Sequence, residues 1–168
     1  MDSLVSDFPD STRLWVYVAA ERLSEDMQDA LQDRLDTFLD GWVSHQRPVR
    51  GRAVIRDDRI VLIAATVEGG SVSGCGIDAS VHALEEASVD LDISWAGPLD
   101  IVYRDASGDV CVTSRSAFRD LVADGEVTGE TLVLDPSVTR VKALRSGAFE
   151  RAAADSWHAR IFKIPATA

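Results

Sequence analysis

The run Ile60-Val61-Leu62-Ile63-Ala64-Ala65 carries no polar side chain at any of its six positions. A strand turns successive side chains to opposite faces, so a run that is apolar throughout has to be covered on both. That places it in the middle of a sheet rather than at an edge. Ala53-Val54-Ile55 precedes it, and the polar Arg56-Asp57-Asp58-Arg59 lies between them, so the two arms read as a hairpin whose second arm is central.

The elements around this hairpin follow from periodicity. Arg13 to Ala19 is apolar and β-prone, and it reads as the first strand. Ser24 caps a helix with Glu25 and Asp26 in the first turn, where a carboxylate suits the positive helix end. Met27, Leu31, Leu35, Phe38 and Trp42 recur at helical spacing on its core face, and Gly41 ends it. A second helix carries Ile77, Val81, Leu84, Ser88 and Leu91 on one stripe, and residues 90–98 form a connector after it. Residues 100–104 and 110–113 form another hairpin around Ala106-Ser107-Gly108. Strand, helix, hairpin, helix, strand is the order of an α+β, ferredoxin-like βαββαβ sandwich, with an antiparallel sheet and both helices on one face. This is the expectation for residues 13–114.

Residues 115–168 read as an extension packed on that core. Ser116 precedes a short helix with Phe118, Leu121 and Val122, closed by Gly125, and Thr131 to Leu134 is a short strand before Pro136. The polar-aromatic cluster Asp155-Ser156-Trp157-His158-Ala159-Arg160 lies near the end of the chain. At 168 residues, without a repeat or a long linker, the chain is expected to form a single domain over 1–168.

Twenty Asp and eight Glu against fifteen Arg and two Lys give a net charge of -11. Such a surface repels nucleic acid and anionic lipid, which excludes phosphate-backbone binding as a working idea. Asp over Glu and Arg over Lys suit a bacterial host with GC-rich coding and a halophilic interior, where acidity serves solubility. No apolar run approaches the roughly 20 residues of a membrane span. The start Met1-Asp2-Ser3-Leu4 lacks the basic and apolar regions of a secretory leader, so a cytoplasmic protein is expected.

Chemistry concentrates at Ser73-Gly74-Cys75-Gly76-Ile77-Asp78-Ala79-Ser80-Val81-His82, after the central strand and at the start of the second helix. Backbone N–H groups and the positive helix end favour anions and thiolates there. Asp78 and His82 stand at i and i+4, the spacing at which a carboxylate can orient an imidazole. Cys75, Asp78 and His82 thus supply a nucleophile, an orienter and a base, although His82 is a turn and a half from the thiol, and His158 or His45 could act from a distance. Cys111 alternates with valines and reads as a small buried hydrophobe, and a Cys75–Cys111 disulfide does not suit a cytosolic protein. Cys75, His45, His82 and His158 could complete a tetrahedral zinc site, but none is paired at structural-zinc spacing, so no metal and no cofactor is expected. No GxxxxGK[ST] motif occurs, and the glycine-rich stretch 67–74 lacks the phosphate-binding lysine and reads as a mobile loop.

Three blocks together carry a resemblance: Ser73-Gly74-Cys75-x-Ile77-Asp78-x-Ser80-Val81-His82, then Ser114-Arg115-Ser116-x-Phe118, then Asp155 to Arg160. In this order they resemble an uncharacterised family of mainly Bacteroidetes proteins of about this size, sometimes labelled "ABC transporter ATPase". The likeness spans 13–162 and implies that the Cys75 and His158 blocks are the shared centre. It brings no established activity, and the ATPase label fails on the missing P-loop. A weaker likeness, over residues 112–133, is to the core of GYF-like peptide-binding modules, without their aromatic groove.

The functional expectation is a small-ligand-binding or accessory protein with its polar pocket at the Cys75 loop. Ser73, Gly74 and Gly76 would offer contacts from the loop, His82 and His158 would add polar contacts, and Trp157 would form a wall. The alternative is a thiol-dependent enzyme of acyl or thiol transfer with Cys75 as nucleophile, Asp78 as orienter and His82 or His158 as base. The expected partner is a small ligand or a protein, with a homodimer open and neither nucleic acid nor membrane involved.

Overall fold

The computed structural model describes residues 3–70 and 72–164. In chain order the elements are α1 (Ser3–Asp7), β1 (Arg13–Val18), α2 (Glu25–Gly41), β2 (Val43–Ser44), β3 (Arg47–Arg56), β4 (Ile60–Val67), α3 (Gly74–Asp90), β5 (Ile101–Arg104), β6 (Val110–Thr113), α4 (Arg115–Ala123), β7 (Leu132–Leu134), α5 (Lys142–Arg145), β8 (Glu150–Ala152) and α6 (Trp157–Phe162). The fold is mixed α+β with two antiparallel four-stranded sheets, ordered β1-β4-β3-β2 and β6-β5-β7-β8.

β4 lies between β1 and β3, as its composition requires, and both its faces are buried. Val61, Ile63 and Ala65 join a core with Leu31, Leu35 and Leu39 of α2 and Leu84 and Ala87 of α3. Ile60, Leu62 and Ala64 turn the other way, into a core shared with Leu14 and Val18 of β1 and with Val102, Val110 and Leu134 of the second sheet. The second sheet alternates in the same manner, since Ile101 and Val133 face away from the first sheet and pack on Phe118 of α4 and Phe162 of α6. The result is four layers: helices, sheet, sheet, helices.

The expected ferredoxin-like sheet does not form. Its first three strands take the anticipated order, but β5 pairs with β6 and β7 in the second sheet instead of completing the first. The fourth position, along the free edge of β1, is filled by two fragments. Residues 94–96 bridge one end, with Ala96 N–H donating to the Val18 carbonyl at 2.8 Å and Ala20 N–H to that of Ser94. Residues 139–140 bridge the other, with Leu14 N–H donating to the Thr139 carbonyl at 3.0 Å. Gly97-Pro98 interrupts the first fragment, because proline has no N–H to extend a ladder. The second sheet also unites β5 and β6 with β7 and β8, so it spans residues on both sides of position 114.

Local signals elsewhere hold. Ser24 caps α2, its hydroxyl accepting from Met27 N–H. The turn between β3 and β4 places Asp57 and Asp58 at φ 51° and 55°, the left-handed pair of a tight hairpin. The cap of α4 is Ser114 rather than Ser116. Gly125, at φ 77°, closes α4, with its N–H donating to Val122 and that of Glu126 to Leu121, a Schellman ending. Among the described residues no helix is long and apolar enough to cross a membrane.

Candidate functional site

The Cys75 segment is the start of α3 itself. Ser73 is its N-cap, accepting from Gly76 N–H at 3.2 Å, and its own N–H donates to Ser44 Oγ at 3.0 Å. The Trp42 indole donates to the Gly76 carbonyl at 3.1 Å. A Cβ on Gly76 would stand 2.9 Å from Val72 Cγ1 and 3.2 Å from Ser44 Oγ, so this glycine lets the helix start close against β2. The serine and the second glycine of the motif therefore anchor a helix.

Cys75, Gly74, Asp78 and His82 are exposed on the outside of that helix. His82 Nε2 lies 3.3 Å from Glu86 one turn on, so the imidazole is paired with Glu86 and not with Asp78. Neither the Cys75 thiol nor the Asp78 carboxylate has a hydrogen-bond partner among the described residues. Cys111 is half-buried rather than enclosed, its thiol 3.8 Å from Asp105 and pushed up by burial and by that carboxylate. Among the described residues no three His, Cys, Asp or Glu side chains converge as metal ligands.

The Trp157–His158 block lies on the other side of the molecule, against Phe118 and Phe162 in the outer core of the second sheet. It forms no lip over Cys75. Ser156 caps α6 by accepting from His158 N–H at 3.2 Å, and its hydroxyl donates its one proton to the Ala153 carbonyl at 2.8 Å. Nδ1 of His158, 3.0 Å from the same oxygen, must then be the protonated nitrogen. Nε2 is left with a lone pair and no partner among the described residues. The ring is 1% exposed, and this burial, outweighing the nearby Asp135 carboxylate, lowers its pKa from 6.5 to about 4. Trp157 stacks on it at 3.7 Å and remains 43% exposed.

His158 walls two adjoining clefts. The larger, about 540 Å³, opens at the free edge of β1 where the two bridging fragments fail to meet. Val16, Tyr17 and Val18 form its floor, residues 95–102 one side, and Leu134 to Ser137 with Trp157 the other. The smaller, about 260 Å³, lies behind it along β7 and shares Leu134, Asp135, Trp157 and His158. Cys75 lines neither. Asp135 Oδ1 accepts from the N–H and hydroxyl of Ser137, and Asp100 Oδ2 accepts from Gly97 N–H at 2.7 Å, so both carboxylates hold turns at the rim. Arg115 is the one guanidinium on this lining, and with His158 neutral the cleft carries a net charge of one negative unit.

Of the sequence candidates, then, His158 and Trp157 stand together in a cleft, and Ser73, Gly74, Cys75, Gly76, Asp78 and His82 stand together on a helix elsewhere. Asp135, Asp100, Trp95 and the edge of β1 belong to the cleft without having been singled out. Their one sequence signal is punctuation, Gly97-Pro98 and Asp135-Pro136-Ser137, which marks where two fragments leave the sheet edge. No family model matches the chain, and neither a curated protein nor a solved structure matches it.

Proposed function

We propose that this chain is a binding protein whose ligand lodges in the cleft between the edge of β1 and the Trp157–His158 block. The small-ligand-binding role expected at the Cys75 loop moves to this cleft. One observation carries the reading: a buried imidazole held in a single tautomer, with an unpartnered acceptor, on the wall of a cleft of about 540 Å³. Ligand sites are typically concave, largely apolar and furnished with a few fixed polar groups, within roughly 300–1,000 Å³. A neutral Nε2 accepts a hydrogen bond, Asp135 adds negative charge beside it, and Trp157 offers an aromatic face. These suit a ligand with an apolar body and an N–H donor, cationic in preference to anionic.

In the thiol-enzyme reading His82 pairs with Glu86, His158 lies across the molecule, and His45, in the turn after Ser44, makes no hydrogen bond to Cys75 among the described residues. Membership of the Bacteroidetes-type family belongs to the same proposal. Its first block would anchor α3 and its last would build the cleft.

Phenethylamine, an aromatic body with an ammonium donor, is a suitable probe. Titrated into ¹⁵N-labelled protein, it is expected to shift the Trp95 and Trp157 indole signals and the amides of 97–102 and 134–137. Asp135→Asn should weaken it about tenfold, as for loss of a charge-assisted contact, and Cys75→Ala should leave it unchanged. Shifts centred on residues 73–82, sensitivity to Cys75→Ala, or no saturable shift at millimolar concentration would each sink the reading.

A further inference from the structure

The free edge of β1 has a hydrogen-bonding pattern that specifies more than a small amine. Leu14 N–H and the Val18 carbonyl point away from β4, each to a bridging fragment. An antiparallel ladder alternates residue by residue, so the N–H and C=O of Val16 point the same way. They have no partner among the described residues, and Val16 lines the cleft. Thr139 sits opposite Leu14 and Ala96 opposite Val18, which leaves Trp15, Val16 and Tyr17 without a ladder partner on this edge among the described residues.

We propose, on the basis of the binding role above, that the cleft takes a three-residue extended peptide segment with a lysine-like middle residue, added antiparallel to β1. The middle residue exchanges two backbone hydrogen bonds with Val16, the pairing by which peptides add to sheet edges. Its side chain leaves on the same face as that of Val16, between the two sheets, where Val102 and Leu134 are apolar and Asp135 and His158 lie beyond them. An aliphatic stem suits the first pair and an ammonium group the second. The flanking residues share the face of Trp15 and Tyr17, towards Trp95. Charge complementarity fixes the sign: two carboxylates and one guanidinium line the cleft of a chain with net charge -11.

The test uses the capped tripeptide acetyl-Val-Lys-Val-amide on the full chain. Binding should slow hydrogen exchange at Val16 N–H at least about tenfold, since that group becomes a ladder donor. Methylating the lysine backbone nitrogen, or replacing lysine by norleucine or glutamate, should each cost about tenfold in affinity. If the N-methylated peptide binds equally and Val16 exchange is unchanged while phenethylamine still saturates, edge pairing is overturned and the binding role survives. If neither probe shifts the cleft signals, both fail. If Val16 exchange is already slow in the free protein and sedimentation gives a dimer, a second copy holds the edge and the peptide proposal is wrong.

Discussion

Protonating His158 should unfold this protein by a calculable amount. The imidazole is 1% exposed, and burial lowers its pKa from 6.5 to about 4. As pH falls below 6.5 the unfolded chain takes up a proton that the folded chain refuses until about pH 4. Stability from this group is therefore complete at neutral pH and is lost on acidification, with the loss levelling off below the folded value. At 1.36 kcal/mol per pH unit, the interval from 6.5 to about 4 amounts to about 3 kcal/mol. Urea denaturation of the wild type and of His158→Gln across that range isolates it, because the many carboxylates titrate alike in both proteins. The stability difference between the two should shrink by about 3 kcal/mol from pH 7 to pH 4. A difference flat to within about 0.5 kcal/mol would refute the argument that desolvation governs this ring. Nitrogen-15 spectra of the imidazole should independently show Nδ1 protonated and Nε2 bare at neutral pH.

Two glycines one residue apart should respond in opposite directions. Gly74→Ala meets nothing within 4 Å and should stabilise α3 by roughly 0.5 kcal/mol, whereas Gly76→Ala presses on Val72 and Ser44 and should cost about 1–2 kcal/mol. Thermal unfolding reads both, and matching signs would refute the close-approach argument. Arg104 joins the Asp57 turn of the first sheet to Glu150 of the second, at 2.8 Å and 2.5 Å, with only 16% of its side chain exposed. Arg104→Met should cost about 2 kcal/mol, partly recovered by adding Glu150→Gln, and a cost within about 0.5 kcal/mol would show that the pair does not tie the sheets.

Legibility in the sequence tracked how local the determining forces are. The helical stripe of α2, the cap at Ser24 and the hairpin turn at Asp57-Asp58 are encoded within a few residues, and each stands where expected. The unbroken apolar run of β4 disclosed that both its faces were covered, but not that a second sheet supplies one of the covers. That depends on β5, four residues whose alternation is equally compatible with either sheet. Gly76 was legible as special and misleading as to why: a glycine beside a thiol suggests a ligand, while here it admits Ser44. The Trp157-His158 pair stood out in the sequence as part of a polar-aromatic cluster, but its place beside Asp135 and Val16 arises only when distant segments meet.

The interrupted edge of β1 also bears on solubility. An open strand edge invites copies of the same chain to stack on it, and strands of about five or six residues are the usual currency of such growth. Here both ends are stoppered by the chain's own fragments, at Ala96 and Thr139, and between them only Trp15 to Tyr17 lack a ladder partner among the described residues. A visitor that short cannot carry the sheet onward to a further molecule. The same break that leaves Val16 unsatisfied thus keeps the first sheet from becoming a template at this edge, so a recognition surface and a guard against aggregation occupy one gap.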